Sequence, residues 1–300
     1  MKYLSSQPAT KYYAWQIDVM LHSFVNQGVD LSDVILVNAV HGDIDPHFEV
    51  LKEKYKGAGF YFYEDTRQVK NYISSVRPHV LFKHFKEYPE LSRETIFYHD
   101  CDIVLTRPLD VDLLEVGSAC YVSNTISYIG YDYIISKGQD VFEEMTYAAK
   151  IDPELVIKIQ ENSGGAQYVL KNINAGFWLK VQVDSENLYY LVSRLSLKKK
   201  QQDPSYHEIQ IWCADMWAVL WNLWKEGKNT LVISELDFMF ATDPIENWSS
   251  KAIYHNAGVT SASDGLFYKG NYINQFPIKD LVVDNTKASY NYYEIIKECL

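Results

Sequence analysis

Thr95-Ile96-Phe97-Tyr98-His99 is an apolar, aromatic run that ends directly on Asp100-Cys101-Asp102. β-Branched and aromatic residues in so short a run suit a strand. The same signal stands upstream in Val34-Ile35-Leu36-Val37-Asn38-Ala39-Val40, whose near-continuous apolar character fits a strand buried on both faces. Residues 58–63 and 2–5 suit two more strands. Helical signals fall between them, at 12–26, 46–56 and 78–88, the last opening on Pro78. Strand alternating with helix predicts an α/β fold with a mostly parallel central sheet flanked by helices. In such sheets ligands bind beyond the carboxyl ends of the strands. Asp100 and Asp102, spaced by two in extended chain, point the same way from one of those ends. Two hard oxygen donors there suit Mg²⁺ or Mn²⁺.

Two other D-x-D triplets have local explanations. Asp45 of Asp43-Ile44-Asp45 precedes Pro46, which fits an N-cap with proline at the first helical position. Asp110 of Asp110-Val111-Asp112 precedes Leu113-Leu114-Glu115 and suits a short capped turn. Only Asp100 and Asp102 lack an obvious structural job.

Beyond this region the pattern is more irregular. Strands are expected at 118–123, 131–136, 230–234 and 252–255, and helices at 138–149, 166–172, 184–196 and 206–226. The polar stretch 198–204 suits an exposed loop between helices. No repeat or linker is visible, so one domain is expected from the 300 residues.

The net charge of −11 argues against a nucleic-acid backbone binder, which needs a basic field. It leaves room for one small anion held by a few placed donors. No apolar run approaches the roughly 20 residues of a membrane span. The start, Met1-Lys2-Tyr3-Leu4-Ser5-Ser6-Gln7-Pro8, lacks the apolar stretch of a signal peptide. Cys101, Cys120, Cys213 and Cys299 are widely spaced and contain no C-x-x-C pair, which fits free thiols in a reducing compartment. A soluble, cytoplasmic protein is the expectation. Tyr, Phe and Trp make 15% of the chain, which suits a large core and sugar stacking equally.

The segment 96–105, followed by Pro108-Leu109, resembles the D-x-D segment of GT-A fold glycosyltransferases: hydrophobic strand, D-x-D, apolar residues, proline. Tyr12-Tyr13-Ala14-Trp15-Gln16 is similar to a first-helix pattern of some of these enzymes. Gly164-Gly165-Ala166-Gln167-Tyr168 and Asn174-Ala175-Gly176-Phe177-Trp178 resemble their mid-chain segment. Trp212-Cys213-Ala214-Asp215-Met216-Trp217 resembles an acceptor-side helix, and Ile253-Tyr254-His255-Asn256-Ala257-Gly258 a late strand end. The matches keep family order over nearly the whole chain. Among subgroups, the peptidyl-hydroxyproline and peptidyl-serine sugar transferases are the most similar.

The resemblance implies a single GT-A-like, Rossmann-type domain, with 1–115 as the nucleotide-binding half and 116–300 as the acceptor-side half. It implies a nucleotide-sugar donor, by default a UDP-sugar, and a carbohydrate, peptide or small-molecule acceptor. It also implies that His255 completes a metal site with Asp102, while Asp100 meets the ribose or reaches the metal through water. It would place the nucleotide at Ser5 and Ser6. The residues agree on His255: it ends an apolar strand before a turn, and an imidazole beside carboxylates favours Mn²⁺ over Mg²⁺.

Asp215 lies in a heavily apolar helical segment, in a stripe with Glu208 and Asn222. Glu208 fits a capping box with Ser205. Asp215 has no such explanation and is the candidate catalytic residue, as base toward the acceptor hydroxyl in an inverting enzyme, or in a retaining one as a group that positions the acceptor or stabilises positive charge on the sugar. Diphosphate leaving groups need cationic help. Arg77, Lys83 and Lys269 are the candidates, and Gly164 and Gly165 would let backbone approach the donor sugar. Two rivals keep a related fold: a sugar-nucleotide nucleotidyltransferase, disfavoured because 5–13 lacks glycine, and a non-catalytic carbohydrate-binding protein.

Overall fold

The computed structural model describes the whole chain, Met1–Leu300. In chain order its elements are β1 (Lys2–Pro8), α1 (Lys11–Asn26), β2 (Val34–Val40), α2 (His47–Lys54), β3 (Gly59–Glu64), α3 (Val76–Glu87), β4 (Thr95–His99), β5 (Ile103–Leu105), α4 (Val111–Glu115), β6 (Cys120–Asn124), α5 (Ile126–Ile129), α6 (Tyr131–Ile135), α7 (Gln139–Ala149), α8 (Pro153–Lys158), β7 (Gly164–Lys171), α9 (Ala175–Gln202), α10 (Ala214–Lys225), β8 (Thr230–Val232), β9 (Phe238–Met239), β10 (Ile253–His255) and α11 (Ala288–Cys299). They fall into two compact units. The first is Met1–Glu64, Ile96–Val116 and Ser234–Leu300; the second is Asp65–Thr95 and Gly117–Ile233.

In the first unit the strand order is β3-β2-β1-β4, every neighbour parallel. Leu36, Val37 and Ala39 of β2 are fully buried, as its unbroken apolar run requires. A small second sheet, β5-β10-β9, carries the late part of the chain. Trp15 and Val19 of α1 pack with Val104, Tyr254, Phe267 and Tyr292. Burying each such side chain is worth roughly 1.5–3 kcal/mol. Tyr254 stacks on Tyr292 with ring centroids 5.1 Å apart, so α11, which no periodicity had suggested, closes this core.

The second unit contains β7-β6-β8, with β6 antiparallel to β7 and parallel to β8. Its long helix α9 packs against α3, α7 and α10. Parallel pairing thus dominates the main sheets, and the α/β architecture expected from strand–helix alternation is present.

Four local expectations are corrected. Residues 131–136 were expected as a strand but form α6, because a short β-branched and aromatic run has no readable period. Residues 166–172 were expected as a helix but belong to β7, whose eight residues are all buried, so tertiary burial overrides local propensity. The stretch 198–204 is helical through Gln202 at the end of α9. The helix expected from 206 begins only at Ala214, after a 3₁₀ turn at Ile211–Cys213. Ser205 gives its N–H and hydroxyl to Asp203 Oδ1, and Glu208 stands 3.5 Å from Lys200, so no capping box forms. The first strand also continues to Pro8, and α3 opens at Val76, two residues before the proline. No helix is long and apolar enough to cross a membrane.

Candidate active site

β4 ends at His99, and the chain turns through Asp100, Cys101 and Asp102 before β5 begins. β10 pairs antiparallel with β5, with His255 opposite Ile103 and Tyr254 opposite Val104. One step beyond, the Asn256 N–H donates to the Asp102 carbonyl at 2.9 Å. This register brings an imidazole from the late chain to the D-x-D turn. His255 Nε2 stands 3.2 Å from Asp102 Oδ1 and 3.7 Å from Asp100 Oδ2. One ligand atom from each of the three lies within 4.8 Å of the others. Asp102 and His255 are buried, while the Asp100 side chain keeps 30% exposure.

Burying a carboxylate alone would raise its pKa. At Asp102 that effect is outweighed by Lys269 and then His255, which hold its carboxyl well below the usual range. Lys269 Nζ pairs directly with Asp102 Oδ2. Burial pulls the lysine down, but Asp102 and Tyr12 outweigh it and hold its ammonium charged. His99 is different: burial drags its pKa to about 4, so its ring is neutral and Nδ1–H donates to the Asp100 carbonyl at 2.9 Å. Two carboxylates and one imidazole nitrogen are a donor set that fits a cation of the Mn²⁺ class. The Asn256 amide Nδ2, next in sequence to His255, is a buried donor with no hydrogen-bond partner.

Ser5 lies inside β1 and is fully buried, not at the strand end where the sequence suggested it. Its hydroxyl donates to Gln7 Oε1 at 2.7 Å, and Gln7 Nε2 donates to Asn38 Oδ1 at 2.7 Å. A polar chain thus runs between two neighbouring strands.

In the second unit Asp215 opens α10 rather than lying mid-helix. Both its oxygens are engaged: Tyr72 OH donates to Oδ1 at 2.6 Å, and Arg77 of α3 pairs with Oδ2. Burial and then the Asp215 charge push the Tyr72 phenol well above its ordinary value, so it stays a neutral donor. Arg77, expected to face a diphosphate, is committed to Asp215. Lys83 lies on the same helix α3. Gly164 and Gly165 open β7 instead of preceding a helix. A Cβ on Gly164 would lie 2.4 Å from the Ser123 carbonyl, and one on Gly165 would lie 2.5 Å from Tyr168 OH. Close packing against β6 therefore accounts for Gly164. Sequence reasoning missed Tyr72 and the direct Lys269–Asp102 pair. No local pattern links Tyr72 to Asp215, 143 positions away.

No protein-family model matches the chain, and no curated protein matches it. Solved structures do resemble it. An active-site mutant of LgtC matches over 99% of this chain and 96% of its own, at 11% identity and TM-score 0.50. The bifunctional glycosyltransferase WbbM matches over 98% of this chain at 9% identity and TM-score 0.49. Our chain spans about half of that protein's length, 51%. Mouse xyloside xylosyltransferase 1 matches over 86% of this chain and 99% of its own, at 10% identity and TM-score 0.41. At such identities the likeness concerns the fold, and the fold is the GT-A type that the order of motifs suggested.

Proposed function

We propose that this chain is a divalent-metal-dependent glycosyltransferase. It would move a sugar from a nucleotide-sugar, by default a UDP-sugar, to an acceptor hydroxyl on a carbohydrate, peptide or small molecule. One observation carries the reading: Asp100, Asp102 and His255 converge at strand ends of a GT-A fold. These three residues would hold the metal, Mn²⁺ or Mg²⁺, which when bound supplies charge stabilisation to the departing nucleotide diphosphate. Asp102 is ready for that task because its neighbours keep it ionised. Lys269, beside it, is the cation of this chain best placed to serve the diphosphate. Lys83 and Ser5 stay donor-side candidates on the family resemblance alone. Asp215 is assigned to the acceptor side. Since Tyr72 and Arg77 occupy both its oxygens, the arrangement suits positioning of the acceptor better than removal of its proton.

The test is incubation with a panel of nucleotide-sugars plus Mn²⁺, scoring released nucleotide diphosphate with and without EDTA. Release with at least one donor, abolished by EDTA and strongly cut in His255→Ala, is expected. No release with any donor, together with no Mn²⁺ binding, would sink the proposal. Sugar binding without turnover and without response to chelator would favour the non-catalytic rival.

A further inference from the structure

The two oxygens of Asp102 face two different groups. Oδ1 looks at His255 Nε2, 3.2 Å away, and Oδ2 is taken by the Lys269 ammonium. The Asp100 charge adds to the field that holds the same ammonium. The charges of Asp100, Asp102 and Lys269 sum to minus one. A divalent ion entering with the lysine in place would set two cations against one buried carboxylate. Like charges held this close in a partly desolvated site repel strongly. The lysine can relieve this by moving, because its side chain is 27% exposed and rides on a flexible four-carbon stem. Its backbone cannot follow, since it opens the short 3₁₀ turn Lys269–Tyr272, whose Tyr272 is buried against Phe267.

We propose that Lys269 is an internal counter-ion that competes with the divalent cation for Asp102. Metal entry requires the ammonium to leave that carboxylate, and a nucleoside diphosphate gives the displaced charge a new partner. Metal and nucleotide therefore bind cooperatively, each strengthening the other by the same factor. The inference rests on the metal reading of the D-x-D centre.

The experiment is calorimetric titration of Mn²⁺ into the full chain, alone and in the presence of saturating UDP, for wild type, Lys269→Met and Lys269→Arg. Lys269→Met should bind Mn²⁺ about tenfold more tightly than wild type without nucleotide, the scale of losing one desolvated competitor. UDP should strengthen Mn²⁺ binding markedly in wild type and much less in Lys269→Met. Lys269→Arg, which keeps the charge, should bind Mn²⁺ no better than wild type. Lys269→Gln replaces Lys269→Met if circular dichroism shows the latter unfolded. Equal or weaker Mn²⁺ binding in the neutral variant overturns the counter-ion role while leaving the metal centre standing. No Mn²⁺ binding by any of the proteins, with or without UDP, overturns both.

Discussion

At the scale of single residues, environment decides what an ionisable side chain can do. Asp102 and His99 lie within a few residues of each other and are both buried. Asp102 stays charged because Lys269 and His255 offset its desolvation; at His99 burial outweighs the Asp100 carbonyl and the Asp102 charge, and the ring stays neutral. Asp215 shows a third case, a carboxylate tied at both oxygens. Asp215→Asn removes the charge facing Arg77 while keeping an acceptor for Tyr72, so turnover should fall with little change in UDP affinity. Steady-state kinetics with a binding titration checks this, and unchanged turnover would exclude a site role. His84 gives a pH prediction. Burial lowers its pKa to about 4 from 6.5, so it folds as the neutral ring. Its stabilising contribution is whole above pH 6.5 and is lost as pH falls toward 4, because the unfolded chain takes up the proton first. The loss is worth about 3 kcal/mol. Urea midpoints measured between those pH values should decline, and His84→Gln should flatten the decline.

At the scale of elements, register rather than composition builds the centre. β10 places His255 only because Tyr254 pairs with Val104 and His255 with Ile103. Slipping an antiparallel pair by one residue turns every side chain to the other face. β7 makes a related point. Its local pattern suggested a helix at 166–172, yet all eight residues of the strand are buried and its pairing with β6 shifts register between Val122 and Asn124. Gly164 sits where that pairing leaves no room for a side chain. Gly164→Ala should therefore cost about 1–3 kcal/mol through overpacking. Chemical denaturation would show it, and a stability equal to wild type would mean that the strands part at little cost.

At the scale of the molecule, the chain returns to its first unit after a long excursion, since Ser234–Leu300 belongs with Met1–Glu64. The late return delivers both His255 and Lys269 to a turn laid down by residue 102. Because the proposed ligands come from segments far apart in the chain, metal would bind the folded form only. Mn²⁺ at about 100 times its dissociation constant should add about 2.7 kcal/mol of stability. Thermal melts should shift upward with Mn²⁺, return with EDTA, and fail to shift in His255→Ala. A shift that survives that substitution would place the metal elsewhere.

Much of this is legible in the amino-acid sequence. The strand–helix alternation of the first hundred residues announced the parallel sheet, because parallel strands buried on both faces leave continuous apolar runs. The D-x-D turn was legible because the two rival triplets had local capping roles and this one had none. The sequence could nominate His255 and Lys269 singly, since one ends an apolar strand before a turn and the other follows that turn, but not assign the lysine to Asp102. That pairing, the clasp of Tyr72 and Arg77 on Asp215, and the strand at 164–171 were decided by tertiary structure. Each depends on which distant groups exclude water from one another, and no period or spacing along the chain encodes that.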